Sequence, residues 1–149
     1  MTAECNPVGW FEPGIVSTLE RVKKGGGMTV DKINFEEKFT KLPAGDYAVG
    51  IVAKMNNYDI KIVKFKGEFV WHSHPDTDET FIILDGVMIM HFRDRAVEVH
   101  RGEMIVIPKA VEHKPSSADG YRALLIEPEG VPNTGDAESD MTIRKVDWV

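Results

Sequence analysis

Residues 69–84 read FVWHSHPDTDETFIIL, and this stretch decides the fold. His72 and His74 stand two apart, the spacing that places side chains on one face of an extended strand, whereas a helical pair stands four apart as in His-Glu-x-x-His. None of the five histidines forms such a helical pair. Pro75-Asp76-Thr77-Asp78 makes a turn, and Glu79 opens a returning run in which Phe81 and Ile83 continue the inward row by alternation. Imidazole and carboxylate are donors that a borderline divalent cation prefers. Placed inside an apolar β-structure they are costly unless such a cation satisfies them. His113, in VIPKAVEHKP, arrives from a later segment as a fourth donor.

Outward from this stretch, short runs rich in Val, Ile, Phe and Tyr repeat at regular intervals. Strands are predicted over 47–53, 59–65, 68–71, 80–84, 87–93, 96–99, 103–107 and 121–127, separated by turns such as Asn56-Asn57, Lys66-Gly67, Arg101-Gly102 and Asp119-Gly120. Asp85-Gly86, between two apolar runs, reads as the strongest hairpin turn. Residues 31–42 form a short amphipathic piece anchored by Ile33, Phe35 and Phe39. The pattern predicts an all-β antiparallel sandwich or barrel. Residues 1–27 differ: they hold Pro7, Pro13 and Gly25-Gly26-Gly27, and only 14–24, with Ile15, Leu19 and Val22 on one face, predicts a helix. Another reading of this extension places the biological start at Met28.

At 149 residues the chain is sized for one domain with a sizeable core. Its formal net charge of −6 and the lack of a basic stripe argue against a nucleic-acid surface. One cysteine, Cys5, excludes an internal disulfide and a cysteine metal cage. With no apolar run long enough to span a bilayer and no leader pattern, a soluble cytoplasmic protein is expected.

Two motifs resemble those of the cupin superfamily. Gly67–Gly86, GEFVWHSHPDTDETFIILDG, carries the glycine, His-x-His, Glu and closing glycine of the first, with four residues rather than five between Gly67 and His72. The second, GEMIVIPKAVEHKPSS, places Gly102, Pro108 and His113 in register, with Ala110 where the family usually has glycine and Ser117 where it has Asn. Ala110 implies a somewhat different loop at that point. The similarity runs from about Ile33 onward, and the tail around Glu127-Pro128 and Asn133–Asp136 is similar to that of small bacterial cupins labelled mannose-6-phosphate isomerase-like. The resemblance implies an antiparallel double-stranded β-helix, a jelly-roll barrel, over residues 28–149. It also implies a homodimer and a small-molecule ligand.

His72, His74, Glu79 and His113 are thus the expected metal ligands, for one divalent ion among Zn, Mn, Fe, Ni and Co. Three imidazoles and one carboxylate leave positions open for water or substrate. Tyr47, Tyr58, Lys109 and Glu112 are the available acids and bases, none with an assigned role. Phe69, Trp71 and Phe81 line a pocket or the core, His91 and His100 lie outside the motifs, and Trp10 and Trp148 are candidates for covering a sheet edge. The expected function is a metal-dependent enzyme of isomerase or epimerase type acting on a small hydroxylated or keto metabolite. An iron-dependent dioxygenase and a non-catalytic metal-holding binder are the alternatives.

Overall fold

Each strand leaves one apolar row by alternation, and burying these rows against one another closes the sheet. The computed structural model describes residues 30–149; the helix expected over 14–24, Trp10 and a start at Met28 lie outside them. The elements are α1 Phe35–Phe39, β1 Tyr47–Met55, β2 Tyr58–Glu68, β3 Glu79–Phe92, β4 Ala96–His100, β5 Met104–Ile107 and β6 His113–Pro128. Every strand pairing is antiparallel, in the order β1-β2-β6-β3-β4, with β5 pairing the first half of β3. This is the antiparallel β-barrel that the sequence predicts.

Three strand assignments need correction. Asp85-Gly86 is not a hairpin: β3 runs through it as one strand of 14 residues. The register against β6 shifts between Ile83 and Asp85 and again between Gly86 and Ile89, so the glycine marks an irregularity that bends the strand. The parity of burial confirms the shift, since Glu79, Phe81 and Ile83 face inward before it and Met88 and Met90 after it. Gly86 has a φ of 75°, and a Cβ there would run into the carbonyl oxygen of Gly120 on β6. Likewise β6 begins at His113, not near Tyr121, because Asp119-Gly120 is a bend within a strand of 16 residues. The run predicted over 68–71 belongs to β2 only at Glu68.

Inside the barrel, Val63, Phe65, Phe69, Phe81, Ile83, Met88, Met90, Val99, Ile107, Tyr121, Ala123 and Leu125 form one apolar cluster. Outside it, α1 covers a second, smaller cluster of Phe39, Leu42, Ala48, Val52 and Ile62. The Asn34 side chain caps α1 by accepting from the Glu37 amide at 3.3 Å, and Arg122 braces it through Glu36 at 2.7 Å. Beyond β6 the chain crosses back to β1, where Ile51 N donates to Asp147 O at 2.9 Å and Val149 N to Ile51 O at 3.0 Å. The backbone of Trp148 bridges Ile51 on β1, while most of the residue stays exposed.

The glycine contacts yield a stability test. Gly86→Ala combines a left-handed φ with a backbone collision and should cost at least about 2 kcal/mol in urea unfolding. Gly102→Ala, where φ is 85° but nothing stands within 4 Å, should cost about 1 kcal/mol.

Candidate metal centre

The turn after β2 and the starts of β3 and β6 bring His72, His74, Glu79 and His113 together, with one donor atom from each lying within 4.8 Å of the other three. All four are buried, at 1–3% exposure. His72 is not at the end of a regular strand. It forms an isolated bridge with His113, in which His72 N donates to His113 O at 3.0 Å and His113 N to His72 O at 2.9 Å. His74 lies in the loop and is held by Ala110 N donating to its carbonyl at 2.8 Å. Ala110 adopts a φ of 62°, the left-handed backbone that a glycine would take freely.

The rings are oriented for a shared ligand. His72 Nδ1 donates to Val70 O at 3.0 Å and His113 Nδ1 to Val111 O at 2.9 Å, which turns both Nε2 atoms toward the cluster. His113 Nε2 lies 3.1 Å and His74 Nε2 3.7 Å from Glu79 Oε2. Burial, with help from the neighbouring His113 charge, pulls His72 down to about 4, and burial also lowers His74. Burial acts against the charged form of His113 too, but the hydrogen bond and charge of Glu79 outweigh it and raise that group above its ordinary value.

Does this chemistry fit a metal? Both ring nitrogens of His74 are buried without a hydrogen-bond partner among the described residues, a costly state for an imidazole. A divalent ion would satisfy the inward nitrogen. With one donor atom from each residue within 4.8 Å of the others, the four side chains could share one ion after modest side-chain adjustment. The residues present therefore fit a divalent transition metal.

Beside His72 lies a cavity of about 30 Å³ walled by Tyr47, Val63, Phe65, Phe69, Phe81, Pro115, Tyr121 and Leu125. Tyr47, unassigned in the sequence, is thus at the site: its hydroxyl accepts from Asn133 Nδ2 at 3.0 Å, and burial raises it to about 12, keeping the phenol protonated. The chain after β6 packs over the cluster. Ser73 N and Oγ donate to Asp136 at 2.7 and 3.0 Å, Asp136 N donates to Ser73 O at 3.0 Å, and Gly135 lies so close that a Cβ would strike Ser73 O.

The other candidates are elsewhere. Glu112 pairs with Arg93, whose guanidinium stacks 4.0 Å over Trp71; Lys109 and Tyr58 are exposed. His91 is half-buried with its Nε2 2.8 Å from Ser116 Oγ, and His100 ends β4, exposed. Sequence reasoning missed a buried polar trio, Asp59, Lys61 and Glu127, whose Lys61 Nζ donates to Glu127 Oε1 at 2.8 Å. Burial and the Glu79 charge raise Glu127 to about 7 against the opposing pull of Lys61. Strand parity would have found it, because Asp59 and Lys61 share the inward row of Val63 and Phe65, and Glu127 that of Ala123 and Leu125.

Comparison with known proteins agrees with this architecture. The cupin domain family model matches residues 61–127. A solved cupin-2 domain containing protein from Shewanella frigidimarina is 45% identical, with a TM-score of 0.63, over 65% of this chain and 94% of its own. The chain belongs to the cupin family. It is also 34% identical over 67 residues to the uncharacterized protein YdbB of Bacillus subtilis, which covers 44% of this chain and 59% of the relative. A 3-hydroxyanthranilate 3,4-dioxygenase from Xanthomonas euvesicatoria is 32% identical over 69 residues, 44% of this chain and 39% of the relative. The chain thus spans only about half the length of the curated relatives it matches.

The imidazole shifts predict a pH dependence for the metal-free protein. The folded state depresses His72 from 6.5 to about 4, so its contribution is full above pH 6.5 and is lost as pH falls toward 4. The loss is on the order of 3 kcal/mol. His113, raised instead, contributes below pH 6.5 and loses its share as pH rises above that. Urea unfolding at pH 7 and pH 4 should show the acid loss, and His72→Gln should remove most of it.

Proposed function

We propose that this chain is a metal-dependent enzyme acting on a small metabolite, its divalent ion held by His72, His74, Glu79 and His113. The observation that carries the reading is His74, buried in the cluster with both nitrogens unpaired among the described residues. When bound, the ion supplies a Lewis acid with coordination positions left for a ligand. The chain supplies the rest. The Val70 and Val111 carbonyls fix the orientation of His72 and His113, and the wall of Phe65, Phe69, Phe81 and Leu125 excludes water from the cavity. Tyr47, already accepting from Asn133, keeps its own proton to donate to a ligand oxygen.

Two reaction classes suit such a site: isomerisation or epimerisation of a hydroxylated or keto compound, and oxygen-dependent cleavage with iron. The partial match to a dioxygenase supports the second class. Nothing in the matches supports a mannose-6-phosphate isomerase-like assignment. A single cupin domain over 28–149, preceded by 1–27 as an extension, completes the proposed organisation. No helix among the described residues is long and apolar enough to cross a membrane, and we assign the protein to the cytoplasm. A homodimer is the proposed assembly, for which Met104 and Val106, 62% and 47% exposed on β5, offer an apolar surface.

Metal analysis of protein purified without chelators or nickel resin tests the centre. The wild type should hold about one ion per chain, and His72→Ala and Glu79→Ala should each reduce it at least tenfold, to about a tenth or less. Full retention in either variant overturns the assignment. Oxygen uptake by the iron-loaded protein with catechols or diketones would select the dioxygenase class, and aldose–ketose interconversion without oxygen the isomerase class.

A further inference from the structure

Asp59, Lys61 and Glu127 lie on the inward rows of β2 and β6, where Asp59 pairs directly with Glu127. On the other side of β6, Thr80 pairs with Ile126 and Phe81 with Leu125. One step further along the same register, Glu127 falls opposite Glu79, and side chains so placed on one face stand about 5 Å apart at Cβ. Glu127 is therefore a neighbour of the metal centre. It is 1% exposed, and while its Oε1 accepts from Lys61 Nζ at 2.8 Å, its Oε2 has no hydrogen-bond partner among the described residues.

Packing does not explain this pair. A buried Lys–Glu contact is no better for stability than two apolar side chains of like volume, and an unfilled carboxylate oxygen makes it worse. Lys61 has a second carboxylate near it, since Asp59 Oδ2 lies 4.0 Å from its Nζ. Asp59 is in turn 3.5 Å from Lys54. The result is a buried carboxylate with one oxygen anchored by Lys61 and the other unfilled, one register step from Glu79, and an unfilled buried acceptor is what a binding site offers a ligand donor.

We propose that Glu127 is a ligand-binding residue: its Oε2 accepts a hydrogen bond from the O–H of a small hydroxylated ligand seated at the four-residue centre, and Lys61 is the positioning residue that holds it there. The inference rests on the metal-centre reading and narrows its substrate class to compact molecules carrying a hydroxyl next to the atom that meets the metal. Ligands without that donor leave Glu127 Oε2 unfilled and are selected against.

The test uses cobalt(II)-loaded protein, whose visible absorption reports ligand binding without turnover. Glycolate is the hydroxylated probe, and azide is the anion that lacks a donor. In Lys61→Met/Glu127→Leu, which replaces both charges by apolar groups, cobalt stoichiometry and azide affinity should stay within about threefold of wild type. Glycolate affinity should fall at least about tenfold. Unchanged glycolate affinity in the folded double variant overturns the role of Glu127 and leaves the metal centre standing. If the double variant does not fold, Glu127→Gln serves instead: a several-fold loss of glycolate selectivity over azide supports the proposal, and wild-type selectivity overturns it. A wild type that binds no cobalt overturns the metal centre, and this inference with it.

Discussion

The pairing of β3 with β6 is the constraint on which the rest of the molecule depends. Both strands are too long to stay straight across a closed barrel, and both bend where Gly86, paired with Tyr121, lies against the Gly120 carbonyl with no room for a side chain of its own. Above that bend β6 pairs with the second half of β3 and delivers His113; below it, β6 lies between β2 and the first half of β3 and delivers Glu127 opposite Glu79. One pair of strands thus sets both the shape of the barrel and the relative position of its polar side chains. The bridge between His72 and His113 then fixes the first motif to the second through the main chain.

The interior that results is mostly aromatic and aliphatic, with its charge confined to one end. Three imidazoles and two glutamates there are removed from water, and His74 and one oxygen of Glu127 are left without a hydrogen-bond partner among the described residues. The three histidines respond differently. Two are driven toward the neutral form, while His113 faces Glu79 through its inward nitrogen and is raised above its ordinary value by that hydrogen bond and charge despite its burial. Lys61 serves for Glu127 as a fixed internal cation, so the two glutamates need not share one partner.

Much of this was legible in the sequence. The His-x-His spacing, the turn before Glu79 and the alternation of Phe81 and Ile83 led to four residues that the fold does bring within reach of one another. The misreadings have a common physical origin. Asp-Gly pairs carry the same local conformational preference whether the chain reverses or only bends, and at Asp85-Gly86 and Asp119-Gly120 tertiary pairing continued the strand. The trio of Asp59, Lys61 and Glu127 was overlooked because charged residues in strands are usually outward, although Asp59 and Lys61 keep step with Val63 and Phe65, and Glu127 with Ala123 and Leu125. Tyr47 acquired its position from Asn133, 86 residues away, a contact that no local pattern contains.

The strand order has a consequence for how the chain comes to be folded. β6 is the last strand made, yet it lies at the centre of the sheet between β2 and β3. During synthesis the ribosome releases β1 to β5 before the segment that joins them exists, and the facing edges of β2 and β3 stay open for that interval. Closure has to wait for residues 113–128 and for contacts between distant parts of the chain, conditions that favour slow folding and exposure to other nascent chains. A vectorially synthesised barrel with this topology is most vulnerable just before its last strand emerges.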